Sequence, residues 1–322
     1  MPTVAIHPKA SISDGMGHIY RQINLANELK KQGWEISFYI PNFAPAIDLL
    51  AQAGFSPVIT EPKSPIAEYF DKFFDFVILD MQDTTESLVC SVKKCTRWIA
   101  SFEDLGIGRN HVDILIDSNL APSETKNLPP STRGLFGTDY SVLNPDFSYY
   151  HTRSRHFGTS LQSVLISMGA TDPKNLALPL TRFLLQEKHD LKLTVLIGHN
   201  ATVIPELSKL SAQFKSLNVL GPISNMAQTL WEHDAVICSG GVTLHEAIAV
   251  GTPAFAGVGR IAAGVAVAGF AAHIVGGHHY QSTQVGNVAI FDVAVVVLFQ
   301  QRIRERLCGA AGSAEADKGS ST

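Results

Sequence analysis

The chain is poor in charge and poor in cysteine. Lys, Arg, Asp and Glu make up 17% of its 322 residues, and the net charge is -4. That balance holds no basic surplus for a polyanion, so no nucleic-acid partner is expected, and any anionic ligand has to be held by local groups. The four cysteines, Cys90, Cys95, Cys238 and Cys308, include no CxxC pair and no His/Cys spacing of the zinc-finger type. They read as free thiols in a reducing compartment rather than as a disulfide frame or a zinc module. The first residues lack the basic-then-apolar pattern of a secretory signal. The apolar stretch at 261–275 is rich in Ala and Gly, and it falls short of the ~20 residues of a membrane helix. A cytoplasmic protein without an integral membrane segment is the expectation.

What is present is apolar content and glycine-punctuated alternation. Hydrophobic residues make up 45% of a chain long enough for two domains of ordinary size. In the first half, strand patterns are expected at 3–7, 35–40, 76–79, 98–102 and 112–116, the last closing the series. Helical patterns fall at 18–32, 46–53 and 86–94; Ile19, Ile23, Ala26 and Leu29 share one face of the first. A polar, aromatic stretch at 145–159 reads as a link. The second half restarts with strands at 163–167, 192–197, 218–220 and 235–238 and helices at 176–186, 226–233 and 243–250. This βαβα order predicts an α/β protein of two Rossmann-like domains, 1–150 and 151–308, followed by a small polar tail at 309–322 expected to be disordered. Ligands in such sheets bind beyond the carboxyl ends of the strands, so the expected site is the cleft between the domains.

Two glycine turns carry the chemistry. Asp14-Gly15-Met16-Gly17-His18 joins a strand to a helix, where unpaired N–H groups and the helix dipole favour an anion. It fails as a dinucleotide fingerprint: Tyr20 stands where the third glycine belongs, and the second strand ends Tyr39-Ile40-Pro41-Asn42 without an acidic residue for a ribose. No Walker-type lysine follows either turn. A nucleoside diphosphate or a sugar phosphate fits. His18 is a candidate general base at the rim of this turn, with helix capping or plain exposure as the alternative. Ser239-Gly240-Gly241-Val242-Thr243 forms the second socket, and Glu246 falls one turn into its helix. Glu246 is suited to accept hydrogen bonds from ribose hydroxyls; a capping box with Thr243 is the alternative. Gly169 and Asp172 repeat the logic after another strand, with Asp172 the better fit to an N-cap before Pro173. Asp80 ends an apolar strand at the cleft. No carboxylate pair suggests a metal, and His278-His279 reads as a surface pair.

These residues resemble a known family. Gly15-Met16-Gly17-His18-Ile19 with Arg21, Ser167 to Asp172 with Asn175, Asn225-Met226, and Ser239-Gly240-Gly241-Val242-Thr243 with Glu246 are similar, over 3–256 and in order, to the PseG-type UDP-sugar hydrolases. Those enzymes release UDP from a diacetamido-trideoxy-altropyranose donor in pseudaminic acid synthesis. The spore-coat protein SpsG is similar, and the wider relatives are GT-B glycosyltransferases of the MurG kind. The resemblance implies the GT-B fold, with UDP held mainly by the C-terminal half. The diphosphate would meet Gly240, Gly241 and Val242 and the loop Gly15, Met16, Gly17. Ser239, Thr243, Arg21, Asp80, Gly169 and Asp172 would complete the substrate site, and Glu246 would meet the ribose. The family histidine corresponds to His18, which would activate the water that attacks the anomeric carbon, with inversion and with no metal or cofactor. Three positions depart from the family. Gln82 stands where a tyrosine lines the sugar site. Gly257-Val258-Gly259-Arg260 lacks an Asn-Gln pair, and Asn144 replaces an arginine. Transfer of the sugar to an acceptor, and nucleotide-sugar binding without turnover, are the alternatives.

Overall fold

The computed structural model describes residues 1–61, 64–155, 161–187, 190–198 and 204–256. The stretch 261–275, His278-His279, the altered residues from Gly257 to Arg260 and the tail 309–322 lie outside the described residues.

The first unit runs β1 (Thr3–Pro8), α1 (Gly17–Lys31), β2 (Glu35–Pro41), α2 (Ala44–Gln52), β3 (Val58–Thr60), β4 (Phe74–Asp80), α3 (Glu86–Lys93), β5 (Thr96–Phe102), β6 (Ile114–Asp117) and β7 (Arg133–Phe136). Among the described residues its sheet has seven strands, ordered β3-β2-β1-β4-β5-β6-β7, with every recorded pairing parallel. After α4 (Asp146–His151) come β8 (Ser163–Ser167), α5 (Ala177–Glu187), β9 (Lys192–Leu196), α6 (Ile204–Gln213), β10 (Leu217–Leu220), α7 (Met226–Trp231), β11 (Ala235–Cys238), α8 (Val242–Ala249) and β12 (Ala254–Phe255). They form a parallel sheet ordered β10-β9-β8-β11-β12. No helix among the described residues is long and apolar enough to cross a membrane.

Strands buried on both faces read as continuous apolar runs, and these do. In the first sheet Ile6, Phe76 and Ile78 pack on one side with Ile19, Ala26 and Leu29 of α1. Ala5, Val77 and Leu79 pack on the other with Val89 and Val92 of α3. The second sheet divides likewise, with Leu180 and Leu184 of α5 covering one face and Leu230 and Ala247 of α7 and α8 the other. Phe147, in the segment expected as a link, belongs to this last core, so α4 packs with the second unit.

The structure adds elements that the sequence pattern does not announce. β3 and β7 are short edge strands, with Val58 beside Tyr39 and Arg133 beside Ile114, so β6 does not close the first sheet. β3 has three residues, and β7 opens on Arg133 and Gly134 without an apolar run; pairing with a neighbour makes them strands. α6 carries Pro205 at its second position, where a missing N–H costs nothing. β12 has two residues.

Gly198, just after β9, lets that strand end pass against the turn that follows β8. A Cβ there would lie 2.0 Å from the Ala170 carbonyl oxygen. Gly198→Ala is therefore expected to lower stability by about 2 kcal/mol or more, measured as a shift of the urea midpoint.

Candidate functional site

In each sheet the order of connection reverses beside one pair of central strands: β1 and β4 in the first, β8 and β11 in the second. Crevices open beyond the carboxyl ends of such pairs. Both glycine turns sit there.

β1 and β4 end in register, Pro8 beside Asp80, and the Lys9 N–H donates to the Asp80 carbonyl at 2.9 Å. The chain then folds on itself before α1. Gly15 N–H donates to the Ser11 carbonyl, the Ser11 hydroxyl donates to Asp14 at 2.5 Å, and Gly15 takes φ +78°, which favours glycine. Met16 caps α1 with no side-chain bond, and its own side chain is buried in the core. Only its backbone is available to a ligand.

Asp80 is fully buried. Its carboxylate accepts from Arg21 Nε at 3.0 Å and Nη2 at 2.7 Å, from Gln22 Nε2 at 2.7 Å and from His18 Nδ1 at 2.7 Å. Burial pushes its pKa upward, but the Arg21 charge and the hydrogen bonds from His18 and Arg21 outweigh it and hold the carboxyl well below the usual carboxylate range. Burial likewise works against the Arg21 cation, yet Asp80 and Glu103 keep it charged and raise its pKa. Because an ionised carboxylate only accepts, His18 Nδ1 donates to Asp80, and Nε2 is the ring nitrogen that this pairing does not use. Nε2 makes no hydrogen bond to another described residue. His18 is thus a partner of Asp80 and not the cap of α1, which is Met16. Asp80 and Arg21 are occupied in positioning it.

In the second unit, Gly240 and Gly241 have φ +100° and +63°. Gly241 is the N-cap of α8 and supplies no side chain to its first N–H groups. An uncapped helix start of this kind suits a phosphate. Ser239 lies beside Gly169, a Cβ on which would sit 3.8 Å from its Oγ. Val242 and Thr243 are half-buried within the first turn of α8. The helix starts one residue before Thr243, so Thr243 is not its cap, and the Glu246 carboxylate makes no side-chain hydrogen bond among the described residues. Burial raises the Glu246 pKa from 4.5 to about 7. Asp172 accepts from the N–H groups of Leu176 and Ala177 at 2.9 and 3.0 Å, joining the turn after β8 to the start of α5.

The two units meet at these turns. A Cβ on Gly17 would lie 3.4 Å from Val242 Cγ2, and one on Gly15 would lie 3.7 Å from Thr171 Oγ1. A polar chain also crosses between them. Arg21 Nη1 pairs with Glu103 at 2.6 Å, Asn119 Nδ2 donates to Glu103 at 3.1 Å, and His245 Nε2 lies 3.1 Å from Asn119 Oδ1. His245 Nδ1 is 3.3 Å from the Ser141 hydroxyl. Burial lowers the His245 pKa, so the neutral ring is favoured. Gln22, Glu103, Asn119, Ser141 and His245 were not singled out as site residues from the sequence. Glu103 and Asn119 follow β5 and β6 at their carboxyl ends, which was the available signal. Gln82, at the family's tyrosine position, is exposed, and its carbonyl accepts from the Leu105 N–H at 2.9 Å.

Two outcomes follow from these electrostatics. Asp80→Asn strips the fully buried one of the two carboxylates that compensate Arg21 and should cost about 3 kcal/mol in denaturant unfolding. Glu246 binds its proton more tightly folded than unfolded. Its contribution is fully present below pH 4.5 and is lost as pH rises through about 7. Glu246→Gln should flatten that part of the stability profile, read as urea midpoints from pH ~4 to ~8.

No protein-family model matches the chain. In sequence it is similar to an uncharacterized protein of Methanocaldococcus jannaschii, 27% identical over 263 residues that cover 78% of this chain and 54% of that one. The chain therefore spans about half the length of that relative. It is also similar to the spore coat polysaccharide biosynthesis protein SpsG of Bacillus subtilis, 25% identical over 261 residues, 78% of this chain and 75% of SpsG. In structure it resembles the UDP-GlcNAc 2-epimerase of Neisseria meningitidis crystallised with UDP-GlcNAc, with a TM-score of 0.59 at 10% identity over 94% of this chain and 100% of that one. It also resembles MurG of Acinetobacter baumannii, with a TM-score of 0.50 at 16% identity over 84% and 83% of the two chains. The two parallel-sheet units thus have the GT-B fold, and the chain is a distant sequence relative of SpsG.

Proposed function

We propose that this chain processes a nucleotide sugar, and that its reaction is hydrolysis of a UDP-sugar at the anomeric carbon in the synthesis of a nonulosonic acid, such as pseudaminic acid, or a related surface polysaccharide. The observation that carries the reading is the His18–Asp80 pair at the switch point of one sheet, set against the uncapped start of α8 from the other. In this reading the diphosphate lies on the N–H groups of Gly241, Val242 and Thr243, closed over by Gly15 and Gly17. Glu246 accepts from the ribose hydroxyls.

His18 Nε2 takes a proton from water as the water oxygen bonds to the anomeric carbon. The carbon–oxygen bond to UDP breaks, the electron pair leaves with the diphosphate, and configuration inverts. Asp80 keeps the imidazole in the basic tautomer and stabilises the imidazolium that forms. The dipole and N–H groups of α8 stabilise the leaving charge without a metal, the same device as an oxyanion hole. The distant relation to a polysaccharide biosynthesis protein and the fold shared with an enzyme crystallised with UDP-GlcNAc support the class of substrate.

The same base serves a sugar hydroxyl as well as water, so transfer to an acceptor is the rival reading. UDP release from a panel of UDP-sugars separates the two. Release without an added acceptor is expected. Release only when a saccharide acceptor is supplied means transfer, and UDP binding with no release from any donor means a binding protein. His18→Ala is expected to slow release about a hundredfold or more while leaving UDP affinity within a few fold; a variant that turns over like the parent removes His18 from the chemistry.

A further inference from the structure

Outside the cleft, Glu86, Cys90 and His111 each bring one ligand atom to within 4.8 Å of the others, the one such set among the described residues. Glu86 and Cys90 are four residues apart on α3 and so share a helix face. His111 ends a 3-10 turn at Ile107–His111, and its Nε2 lies 3.5 Å from Glu86 Oε1. We propose that this corner is a binding site for a thiophilic divalent cation of the zinc class.

The argument is one of scaffold and of ligand chemistry. The turn that carries His111 is locked to the start of the helix that carries the other two groups. The Asp104 carboxylate accepts from the Thr84 N–H at 3.1 Å, from the Thr84 hydroxyl, and from the Gly106 N–H at 2.9 Å. The Gly108 N–H donates to the Thr84 carbonyl at 2.9 Å. Glycine is required in both places: a Cβ on Gly106 would lie 2.2 Å from the Thr84 carbonyl oxygen, and one on Gly108 would lie 2.6 Å from that of Thr85. Thr85 in turn caps α3 through the Leu88 N–H. The three ligands therefore sit on elements that need little ordering when a cation arrives. A thiolate, an imidazole and a carboxylate are the donors of zinc; magnesium and calcium take oxygen. Three protein ligands leave a fourth position to water, and binding releases the Cys90 proton. None of the three residues belongs to the His18 network.

The test is Zn2+ binding to the full-length, metal-free chain in competition with a chromophoric chelator. One bound equivalent is expected. Cys90→Ser and His111→Ala should each weaken binding about tenfold or more, while Cys95→Ser binds like the parent. Co2+ in the parent should show thiolate-to-metal absorption that alkylation of Cys90 abolishes, a readout that needs no variant to fold. Lack of Zn2+ binding by the parent, unchanged binding by both variants, or a Co2+ spectrum without a thiolate band each overturns the site.

Discussion

The N-terminal half of the cleft depends on one buried anion. A carboxylate with no solvent contact is tolerated only when charge and hydrogen bonds replace water. Asp80 obtains them from a single helix, because His18, Arg21 and Gln22 stand at i, i+3 and i+4 on α1 and converge on its two oxygens. That convergence seats the first turn of α1 over the end of β4. It holds the His18 ring through Nδ1 and leaves Arg21 paired with Asp80 and Glu103. The glycine turn before α1 is shaped by the same requirement, since the helix has to begin where its first turn reaches Asp80.

Arg21 extends this arrangement beyond its own layer. Its second nitrogen pairs with Glu103, which takes φ +48° at the end of β5. Its guanidinium also stands over the Phe102 ring at 5.1 Å. From Glu103 the contacts run through Asn119 to His245 on α8. The His18 pair on one sheet and the helix start on the other are thus tied by polar side chains as well as by the close approach of Gly17 to Val242. In the proposed reading an anion is met there by backbone groups and a helix dipole, in keeping with a chain whose net charge is -4.

Glycine serves two different purposes in this fold. At Gly15, Gly240 and Gly241 it allows backbone angles that other residues adopt at a cost, and these positions shape the two strand-to-helix turns. At Gly106, Gly108 and Gly198 it allows one stretch of backbone to lie against another. The second group holds loops in register with the strands they follow. It is why the segment from Asp104 to His111 behaves as part of the α3 layer.

The alternation of apolar runs with helical periods, read from the residues alone, already specified two doubly covered parallel sheets and placed both glycine turns at strand-to-helix junctions. His18 and Asp80 were both visible, as a rim histidine and a strand-end acid. Their pairing was not, because 62 residues separate them and only the adjacency of β1 and β4 brings them together. Glu103, Asn119 and His245 were hidden for the same reason: each is an ordinary polar residue until strand order and domain contact align it. The edge strands β3 and β12 were too short to carry a period, β7 lacked an apolar run at Arg133 and Gly134, and pairing with neighbours made them. Local pattern determined the elements, since propensity and burial act along the chain. Tertiary structure decided which polar groups meet, since a buried charge is compensated by whatever the fold brings beside it.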